Sequence, residues 1–536
     1  MEEKRTGRIL VVEDRPRWQE ALSENLQRAG YTVDTVSSSA QAREYLQTKF
    51  YHLIILDIRL DETDQTNTEG MSLLDELNTL LGTSVAIIML SGYGTKDQMR
   101  EAFRHFKVTD FLEKQHFDNV KFRQQVQHIF TQEIPINLNL KVYWDNGYRF
   151  KDVVLNLKIN QHRVEADTPL QARMAIELDD LLCRLFHNAE NLIIKPLRPG
   201  YSGAGVLWIQ PFFKDGGGQA VIVKFGDVRK IDEEYRNFQI HVQSFVGGGR
   251  HTAALNLQRT ARLGGITYSL LGAKGDQQHF GDFYRHASIP EIKSVINNLF
   301  RGTCGAWYAN PSKLQPQYLN AEYEKLMGFT LERLKQIIHN DLKSVEVTDR
   351  LYFKPLNSER SFKDPIATLM GKHLVRPTYI CTTHGDLNSN NILVDQVGQV
   401  WLIDFQHTKP SHILRDVANL DAVVRFQLLQ AGEASLAERL AMEENLSRIR
   451  RFSQLDQLAA DFTTDNPALA KAFAVSLHLR QIARQLVAPN PSDDFSEYHI
   501  AALYQAFYHV RLSTLMPEQR EHALLSASLV VEQLDL

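Results

Sequence analysis

The sequence predicts a multidomain protein in which a doubly wound α/β domain precedes a mixed α+β region. Residues 8–130 alternate five short apolar runs with amphipathic stretches, which is typical of a buried parallel sheet covered by helices. From about residue 191 the pattern becomes strand, glycine-containing turn, strand, turn, strand and helix, and after about residue 285 helical spacing dominates. The 536 residues exceed what a single hydrophobic core organises.

The first domain, which we place at residues 1–130, contains five candidate strands. They are Arg8–Glu13, Tyr31–Val36, Leu53–Asp57, Val85–Ser91 and Val108–Leu112. Amphipathic stretches with helical spacing separate them, so the strands are expected to run parallel. Ligands of such sheets bind at the carboxyl ends of the strands, and these ends are therefore the place to look for chemistry.

Acidic and polar side chains stand where these strands end. Glu13 and Asp14 close the first strand, Asp57 the third and Ser91 the fourth, and Lys114 follows the fifth. Carboxylate oxygens suit Mg²⁺, so the three acidic residues are candidate metal ligands. A carboxylate beside Mg²⁺ can carry a phosphoryl group as an aspartyl phosphate, and we select Asp57 for this role. Ser91 is expected to donate a hydrogen bond to the phosphoryl group, and Lys114 to neutralise its charge.

With these residues, positions 8–130 resemble the receiver domain of two-component response regulators, which has a flavodoxin-like fold. The matching positions are Glu13, Asp14, Asp57, Ser91, Phe111 and Lys114. The resemblance implies that a sensor histidine kinase donates a phosphoryl group to Asp57. A degenerate receiver that forms a homodimer without phosphorylation is the rival interpretation. The loop after Asp57 is longer than usual, and Gln115 stands where receivers usually have proline.

Residues 131–190 change character. Ile136–Val142 and Val153–Ile159 alternate apolar and polar residues around Asn146-Gly147, which predicts two strands joined by a tight hairpin. Leu170–Leu185 predicts a helix. The sequence leaves open whether this stretch is a small connector or an extension of the next domain.

The strongest motif is His-Gly-Asp-Leu-Asn-Ser-Asn-Asn at residues 384–391, followed by the apolar run Val400–Ile403 and Asp404. Phosphoryl transfer from ATP depends on positioning and charge neutralisation. Asp386 is the candidate catalytic carboxylate near the attacking hydroxyl, and Asn391 and Asp404 are candidate Mg²⁺ ligands. An Asp, an Asn five residues later and an Asp ending the next strand form the catalytic and metal loops of kinases.

Residues 191–275 contain candidates for the rest of an ATP site. They are Ser202, Gly203, Gly205, Lys224 and Glu234. The glycine turn is expected to direct backbone N–H groups at phosphates. Lys224 lies on the third strand of this region and Glu234 early in the next helix, a spacing typical of the ion pair that positions ATP in kinases. Glu233 is the alternative partner of Lys224.

Positions 190 to about 520 thereby resemble the aminoglycoside phosphotransferase and choline kinase-like family, a branch of the protein-kinase-like fold. The HGDxxxxN motif carries the resemblance, and Asp416 matches a family aspartate that braces the catalytic loop. The resemblance implies a bilobal ATP-dependent phosphotransferase with a small lobe at residues 191–275 and a helical lobe at 276–536. It also implies an adenine-contacting hinge at Leu271-Gly272-Ala273. The turn GYSGAG departs from the GxGxxG pattern of protein kinases.

Composition limits the classes of partner. The net charge is −4, so no global basic field attracts nucleic acid or anionic lipid, and no helix-turn-helix signature follows residue 130. Cys183, Cys304 and Cys381 lie far apart and form no CxxC pair, which favours a reducing compartment. The apolar runs are too short to cross a membrane and no signal peptide precedes the first strand. We therefore expect a cytoplasmic protein.

Two functional hypotheses stay open. In the first, the chain is the response regulator of a bacterial two-component phosphorelay, and its output is an ATP-dependent phosphotransferase acting on a hydroxyl of a small molecule or protein. In the second, the kinase-like part binds ATP as a switch with little catalysis and recruits a partner complex under receiver control. A transcription factor is a weaker third possibility, because the charge and the missing helix-turn-helix signature do not favour it.

Overall fold

The computed structural model describes residues 5–60, 69–81, 85–92, 108–197, 203–245, 252–270, 277–356, 360–490 and 492–534. The chain divides into two compact units, Met1–Tyr235 with Ala254–Ser269, and Arg236–Ala253 with Leu270–Leu536. Within the described residues, no helix combines the length and the apolar character needed to cross a membrane.

The first unit begins with a five-stranded parallel sheet of order β2-β1-β3-β4-β5. Its strands are β1 (Arg8–Val12), β2 (Thr32–Val36), β3 (Leu53–Asp57), β4 (Ala86–Ser91) and β5 (Asp110–Glu113). Its described helices are α1 (Pro16–Arg28), α2 (Ser39–Thr48), α3 (Glu69–Leu81) and α4 (Asn119–His128). This is the order of a flavodoxin-like doubly wound sheet. The prediction of a parallel α/β domain is confirmed, although β5 starts two residues later than predicted.

Apolar residues cover both faces of this sheet. Leu10 and Leu56 belong to the core on the side of α2 and α3, whereas Ile9 and Ile55 belong to the core on the side of α1 and α4. Successive strand residues point to opposite faces, so a strand buried on both faces needs a continuous apolar run. Such runs are why the sequence predicted these strands well.

Residues 131–190 fold differently from the predicted hairpin. Helix α5 (Phe150–Val153) occupies the start of the predicted second strand, and β6 (Lys141–Trp144) pairs in parallel with a strand that begins at Asn191. The physical reason lies in the apolar spacing. Phe150, Val153, Val154 and Leu157 are spaced as on a helix and pack into one core. The Asn146-Gly147 turn is a short 3₁₀ turn, with Asn146 at φ 57°.

The next elements are β7 (Lys158–Ile159), β8 (His162–Arg163), α6 (Pro169–Leu185), β9 (Asn191–Pro196), β10 (Gly205–Phe213), β11 (Gly216–Gly217), β12 (Val221–Asp227), α7 (Val228–His241), β13 (Thr252–Arg259) and β14 (Leu263–Leu270). A second sheet has the order β13-β14-β12-β10-β9-β6, with β11 paired to β10, whereas β7 and β8 pair with each other in a separate sheet. Because β6 joins this sheet and α6 packs against it, residues 131–190 extend the second sheet's domain. The sequence did not predict β13, whose residues are mostly half-buried and lack an apolar run.

The second unit is mainly helical. Its helices are α8 (Phe280–His286), α9 (Ile289–Asn297), α10 (Gly305–Tyr308), α11 (Leu319–Met327), α12 (Leu331–Asp341), α13 (Pro365–Leu369), α14 (Arg415–Val423), α15 (Leu436–Ser447), α16 (Leu455–Asp461), α17 (Pro467–Leu486), α18 (Ser496–Arg511) and α19 (Pro517–Gln533). The helical pattern predicted after residue 285 is confirmed. The structure shows a mixed α/β region here, whereas a bilobal kinase-like arrangement stays a prediction.

Short strands interrupt these helices. They are β15 (Gln278–His279), β16 (Gln315–Tyr318), β17 (Val345–Val347), β18 (Arg350–Phe353), β19 (Ser361–Lys363), β20 (Val375–Thr378), β21 (Ile380–Thr383), β22 (Ile392–Val394), β23 (Val400–Leu402) and β24 (Lys409–His412). The predicted β-rich stretch, residues 379–405, holds β21, β22 and β23. Strands β16 to β19 were not predicted, because three or four residues give too short an alternation to recognise.

Candidate functional site

Three acidic residues meet at the carboxyl ends of β1 and β3. Carboxylate oxygens of Glu13, Asp14 and Asp57 lie within 4.8 Å of one another. Glu13 and Asp57 are buried. The structure thus brings together the three residues that the sequence proposed as Mg²⁺ ligands.

Lys114 lies against this acidic group. Its Nζ is 2.7 Å from Asp57 Oδ2 and 2.9 Å from Glu13 Oε1. Burial raises the pKa of Asp57, and Lys114 opposes that rise. Burial and, second, the charge of Asp57 raise the pKa of Glu13 to about 7, again against the effect of Lys114. The ammonium group therefore neutralises charge at the Asp57 carboxylate, and its predicted contact with a phosphoryl group stays a prediction.

The donor set fits a hard divalent cation. Asp14 Oδ1 is buried, and the described part of the chain offers it no hydrogen-bond donor. Unsatisfied carboxylate oxygens beside two further carboxylates are what Mg²⁺ prefers. The Trp18 ring centroid is 5.5 Å from Lys114 Nζ, so an indole reports directly on this site. A bound Mg²⁺ would supply charge neutralisation for a phosphoryl group on Asp57.

Several predicted residues fall outside the described part of the chain. These are Ser202, the hinge at residues 271–273 and most of the long loop after Asp57. Ser91 ends β4 and pairs with Glu113 of β5, but its side chain is not among those described. The roles of Ser91 and Ser202 therefore stay predictions.

A buried ion pair lies in the second sheet's domain of the first unit. Lys224 of β12 lies with its Nζ 2.6 Å from Glu234 Oε2 of α7, and the two residues are 3% and 1% exposed. Tyr268 donates its hydroxyl to Glu234 Oε1 at 2.7 Å. The predicted partner Glu234 is thus the residue that pairs with Lys224, while Glu233 is exposed. No pattern in the sequence pointed to Tyr268, which lies on another strand of the sheet.

The glycines of the turn before β10 have structural reasons of their own. Gly203 adopts φ 77°, a left-handed conformation that favours glycine. A Cβ on Gly205 would collide with Cζ of Phe225, which is fully buried. Packing and backbone conformation therefore account for both glycines without a bound phosphate.

The loop at residues 384–391 is held by Asp416 in the second unit. Its carboxylate accepts hydrogen bonds from the backbone N–H groups of His384 at 2.7 Å and Gly385 at 2.9 Å. The Tyr308 hydroxyl donates to the same carboxylate at 2.9 Å, and Arg415 donates to the Gly385 carbonyl at 2.7 Å. The bracing role predicted for Asp416 is confirmed. The sequence missed Tyr308, which lies 108 residues upstream of it.

Asp386 and Asn391 form one hydrogen-bonded turn. Asn391 Nδ2 donates to the Asp386 carbonyl at 2.8 Å and lies 3.2 Å from its Oδ2. The N–H of Ile403 donates to the Asn391 carbonyl at 3.1 Å, which brings the start of the Asp404 segment beside this turn. Asp404 itself is buried and adopts φ 71°. A left-handed aspartate costs about 1–3 kcal/mol, and such strain is concentrated at functional sites.

Two histidines accompany these carboxylates. Burial lowers the pKa of His407, whereas the charges of Asp386 and Asp404 oppose that effect, so both carboxylates act on one imidazole. No role for His407 was predicted from the sequence. His384 is fully buried, and its Nε2 lies 3.1 Å from the Ile403 carbonyl, where it holds two segments of the loop together.

Comparisons with known proteins agree with the first site. Residues 9–127 match the family described as "Response regulator receiver domain". TorCAD operon transcriptional regulatory protein TorR of Escherichia coli strain K12 is 28% identical over 162 residues, which are 30% of this chain and 64% of that protein. Transcriptional regulatory protein ZraR of Klebsiella oxytoca is 26% identical over 130 residues, which are 24% of this chain and 28% of that protein.

Solved receiver domains show the same likeness. One from Methanospirillum hungatei JF-1 is 19% identical and covers 24% of this chain and 97% of that chain, with a TM-score of 0.22. One from Thermotoga maritima, described as a response regulator, is 18% identical and covers 24% of this chain and all of that chain, with a TM-score of 0.21.

The larger match lies beyond the receiver. Residues 189–352 and 355–510 match the family described as "Ternary complex associated domain 9". These residues are more than half of the chain, and they include both Lys224 and the loop held by Asp416. The chain therefore belongs to the ternary complex associated domain 9 family and carries a response regulator receiver domain before it.

Proposed function

We propose that this protein is a two-component response regulator that accepts a phosphoryl group on Asp57 from a sensor histidine kinase. We further propose that its C-terminal part binds Mg-ATP and transfers the γ-phosphoryl group to a hydroxyl acceptor. The observation that carries the first part is the contact of Lys114 with both Asp57 and Glu13 beside a third carboxylate. An ordinary buried salt bridge has no need of three clustered carboxylates, since their mutual repulsion is costly.

At the receiver, an Asp57 oxygen would attack the phosphorus atom of a phosphohistidine. An acyl phosphate forms, the P–N bond breaks, and the imidazole leaves with the electron pair. Lys114 is placed to pair with the new phosphoryl oxygens, because its Nζ already lies 2.7 Å from Asp57 Oδ2. The remaining carboxylates hold the cation that offsets the added negative charge.

In the C-terminal part, the support comes from two local arrangements. Lys224 is a buried cation fixed by Glu234, as required of a lysine that contacts ATP phosphates. Asp386 is half-buried and carries Asn391 on its own turn, as required of a carboxylate that accepts the proton of an attacking hydroxyl. Asn391 and Asp404 are then the Mg²⁺ ligands.

A scaffold that binds ATP with little turnover is the second candidate. The description of the family as "ternary complex associated" favours assembly with partners. In this case the ATP-bound form recruits a partner complex. TorR and ZraR are named as transcriptional regulators, but their likeness extends over 162 and 130 residues, so we do not extend a DNA-directed output to the rest of this chain.

Phosphorylation is tested with a small phosphodonor such as phosphoramidate and Mg²⁺, followed by intact-protein mass spectrometry. Wild type gains one phosphoryl group, and Asp57→Asn gains none. Asp34→Asn is the matched control, because Asp34 pairs with Lys49 on the receiver surface, away from the acidic group. Loss of modification in the control as well as in Asp57→Asn would contradict the assignment of Asp57.

ATP binding is tested by calorimetry with Glu234→Gln and its neighbour Glu233→Gln. The first variant releases Lys224 and weakens Mg-ATP binding, whereas the second changes an exposed residue and leaves it intact. Asp386→Asn then separates the two candidates. Lost turnover with retained ATP affinity supports the phosphotransferase. Equal, negligible turnover in wild type and Asp386→Asn, with tight ATP binding in both, supports the scaffold.

A further inference from the structure

A cavity of about 290 Å³ lies within the first unit, where α2 and α3 of the receiver approach the following domain. Helices α2 and α3 provide one wall. The start of α7, the turn before β14 and helix α6 provide the other. The cavity is separate from Asp57, which ends β3 at the opposite edge of the sheet from the end of α2.

The charged lining is predominantly basic. It consists of Arg43, Arg173, Arg229, Arg262, Glu76 and Asp227. Among the described residues, four guanidinium groups face two lining carboxylates and the neighbouring Glu177 carboxylate, which pairs with Arg173, so the net charge is +1. Arg43 is held by Glu76 through two hydrogen bonds of 2.7 and 2.8 Å, and the Asp227 carboxylate accepts backbone N–H groups from Asn160 and Arg229. Both acids are therefore already engaged, and the cavity favours an anion.

Two of the arginines are fixed in position by the fold. Arg173 donates its Nε to Glu177 at 2.8 Å, and the other oxygen of Glu177 accepts the backbone N–H of Arg262 at 2.8 Å. Both guanidinium groups reach the Gln47 carbonyl at the end of α2. Burial and then the charge of Arg173 lower the pKa of Arg262. Glu177 offsets part of the repulsion between these two like charges, and an anionic ligand would offset more of it.

Gln47 and Asn160 add polar groups, and the rest of the described lining is apolar. Leu46, Val228 and Ala261 are partly exposed, whereas Leu73 and Leu77 are almost fully buried. A simple inorganic anion would leave this surface without a partner. A volume of about 290 Å³ lies at the small end of ligand pockets, which fits a compact organic anion.

We propose that this cavity binds a small organic phosphate of mononucleotide size, with the phosphate against the arginines and the base against the partly exposed Leu46, Val228 and Ala261. Guanidinium groups match phosphate oxygens with paired N–H donors. The ligand would contact receiver helices and the following domain at once. It would therefore stabilise their junction without occupying either Asp57 or Lys224.

Calorimetry on the full chain tests the proposal, with AMP, GMP and adenosine as probes. The protein carries Asp404→Asn, which removes a ligand of the proposed Mg-ATP site. AMP or GMP binds, and Arg229→Glu weakens that binding by about tenfold or more. Arg229 is exposed, so this variant is expected to fold. Lys230→Glu is the matched control, since Lys230 is also exposed but does not line the cavity.

Hydrogen exchange of the same samples locates the ligand. AMP or GMP slows exchange at the end of α2 and the start of α7. Protection confined to residues 384–404 instead would overturn the proposal, as would equal affinity of Arg229→Glu and Lys230→Glu. Adenosine that binds as tightly as AMP would also overturn it, because the phosphate would then contribute nothing. The proposal would also be overturned if neither AMP nor GMP bound at about 5 mM.

Discussion

His52 Nε2 lies 2.5 Å from Asp180 Oδ1, and this contact joins the residue just before β3 of the receiver to helix α6 across 128 residues of sequence. Asp180 also accepts a hydrogen bond from Arg184 at 2.7 Å. The three side chains are 2%, 6% and 6% exposed. A buried carboxylate with two partners is costly to disturb, because loss of one group leaves the others unpaired in a dry environment. The receiver is therefore fixed to α6 by more than apolar packing.

Asp180→Asn is expected to lower the free energy of unfolding of the first unit by about 3–5 kcal/mol, because it leaves the buried Arg184 without its counter-charge. Asp179→Asn is the matched control. Asp179 also links α6 to the receiver, through Arg5, but that pair is about one-fifth exposed, and it should contribute only about 0–1 kcal/mol. Guanidinium unfolding followed by circular dichroism gives both values. Equal losses of unfolding free energy in Asp180→Asn and Asp179→Asn would show that the buried contact contributes no more than the partly exposed one.

The stability of this junction depends on pH with a definite sign. Burial alone would raise the pKa of Asp180, but Arg184 and His52 outweigh it, so the pKa lies well below the usual range. The folded state then favours the ionised form, and the contribution is complete above about pH 4. The stabilisation by ionised Asp180 is lost as the pH falls further, through the lowered pKa that Asp180 has in the folded state. The stability difference between wild type and Asp180→Asn should therefore be present at pH 5 and shrink below about pH 4. If the stability difference between wild type and Asp180→Asn grew on acidification, the pKa of Asp180 would not be lowered in the folded state.

Local pattern and sheet topology explain which features could be predicted from the sequence. Leu53–Asp57 is buried along its whole length, so it forms an apolar run, and parallel topology then brings Asp57 to the same edge as Glu13. Contacts such as His52 with Asp180 have no local signature, because neither residue belongs to a periodic pattern or motif. Helix α5 was missed for a different reason. The apolar residues in and after it, Phe150, Val153, Val154 and Leu157, suit an irregular strand as well as a helical turn, and only packing decides.

Mg²⁺ binding at the receiver should be visible in the fluorescence of Trp18, whose ring lies 5.5 Å from Lys114 Nζ. A cation among Glu13, Asp14 and Asp57 changes the electrostatic field at this indole. Titration with Mg²⁺ should change the emission, EDTA should reverse the change, and Trp18→Phe should remove it. Asp14→Asn should weaken the apparent affinity by about tenfold, since one charged ligand is lost. Glu20 is an exposed residue on the same helix as Trp18, and Glu20→Gln should leave the apparent Mg²⁺ affinity unchanged. An unaltered Mg²⁺ affinity in Asp14→Asn would show that Asp14 is not a Mg²⁺ ligand.

Asp416 should control the order of the loop that carries Asp386. Its carboxylate accepts two backbone N–H groups and the Tyr308 hydroxyl, and each hydrogen bond to a charged group is worth about 1.5–3 kcal/mol. Asp416→Asn turns an N–H donor toward one of these donors, so exchange of the His384 and Gly385 amide hydrogens should accelerate by more than tenfold. Tyr308→Phe removes only one of the three bonds and should accelerate exchange less. The same exchange rates in Asp416→Asn and wild type would show that the loop is held by other contacts.

Gly205→Ala separates a packing role from a phosphate-binding role for the glycine turn. The added Cβ would collide with Cζ of Phe225, and Phe225 is fully buried and cannot move aside cheaply. Overpacking of this kind should cost about 1–3 kcal/mol of unfolding free energy, measured without any nucleotide. Gly217→Ala is the control in the same sheet, because its Cβ would meet the Phe212 ring at an ordinary 3.5 Å. If Gly205→Ala instead keeps full stability and loses Mg-ATP binding, the glycine is there for a phosphate, and the packing explanation is wrong.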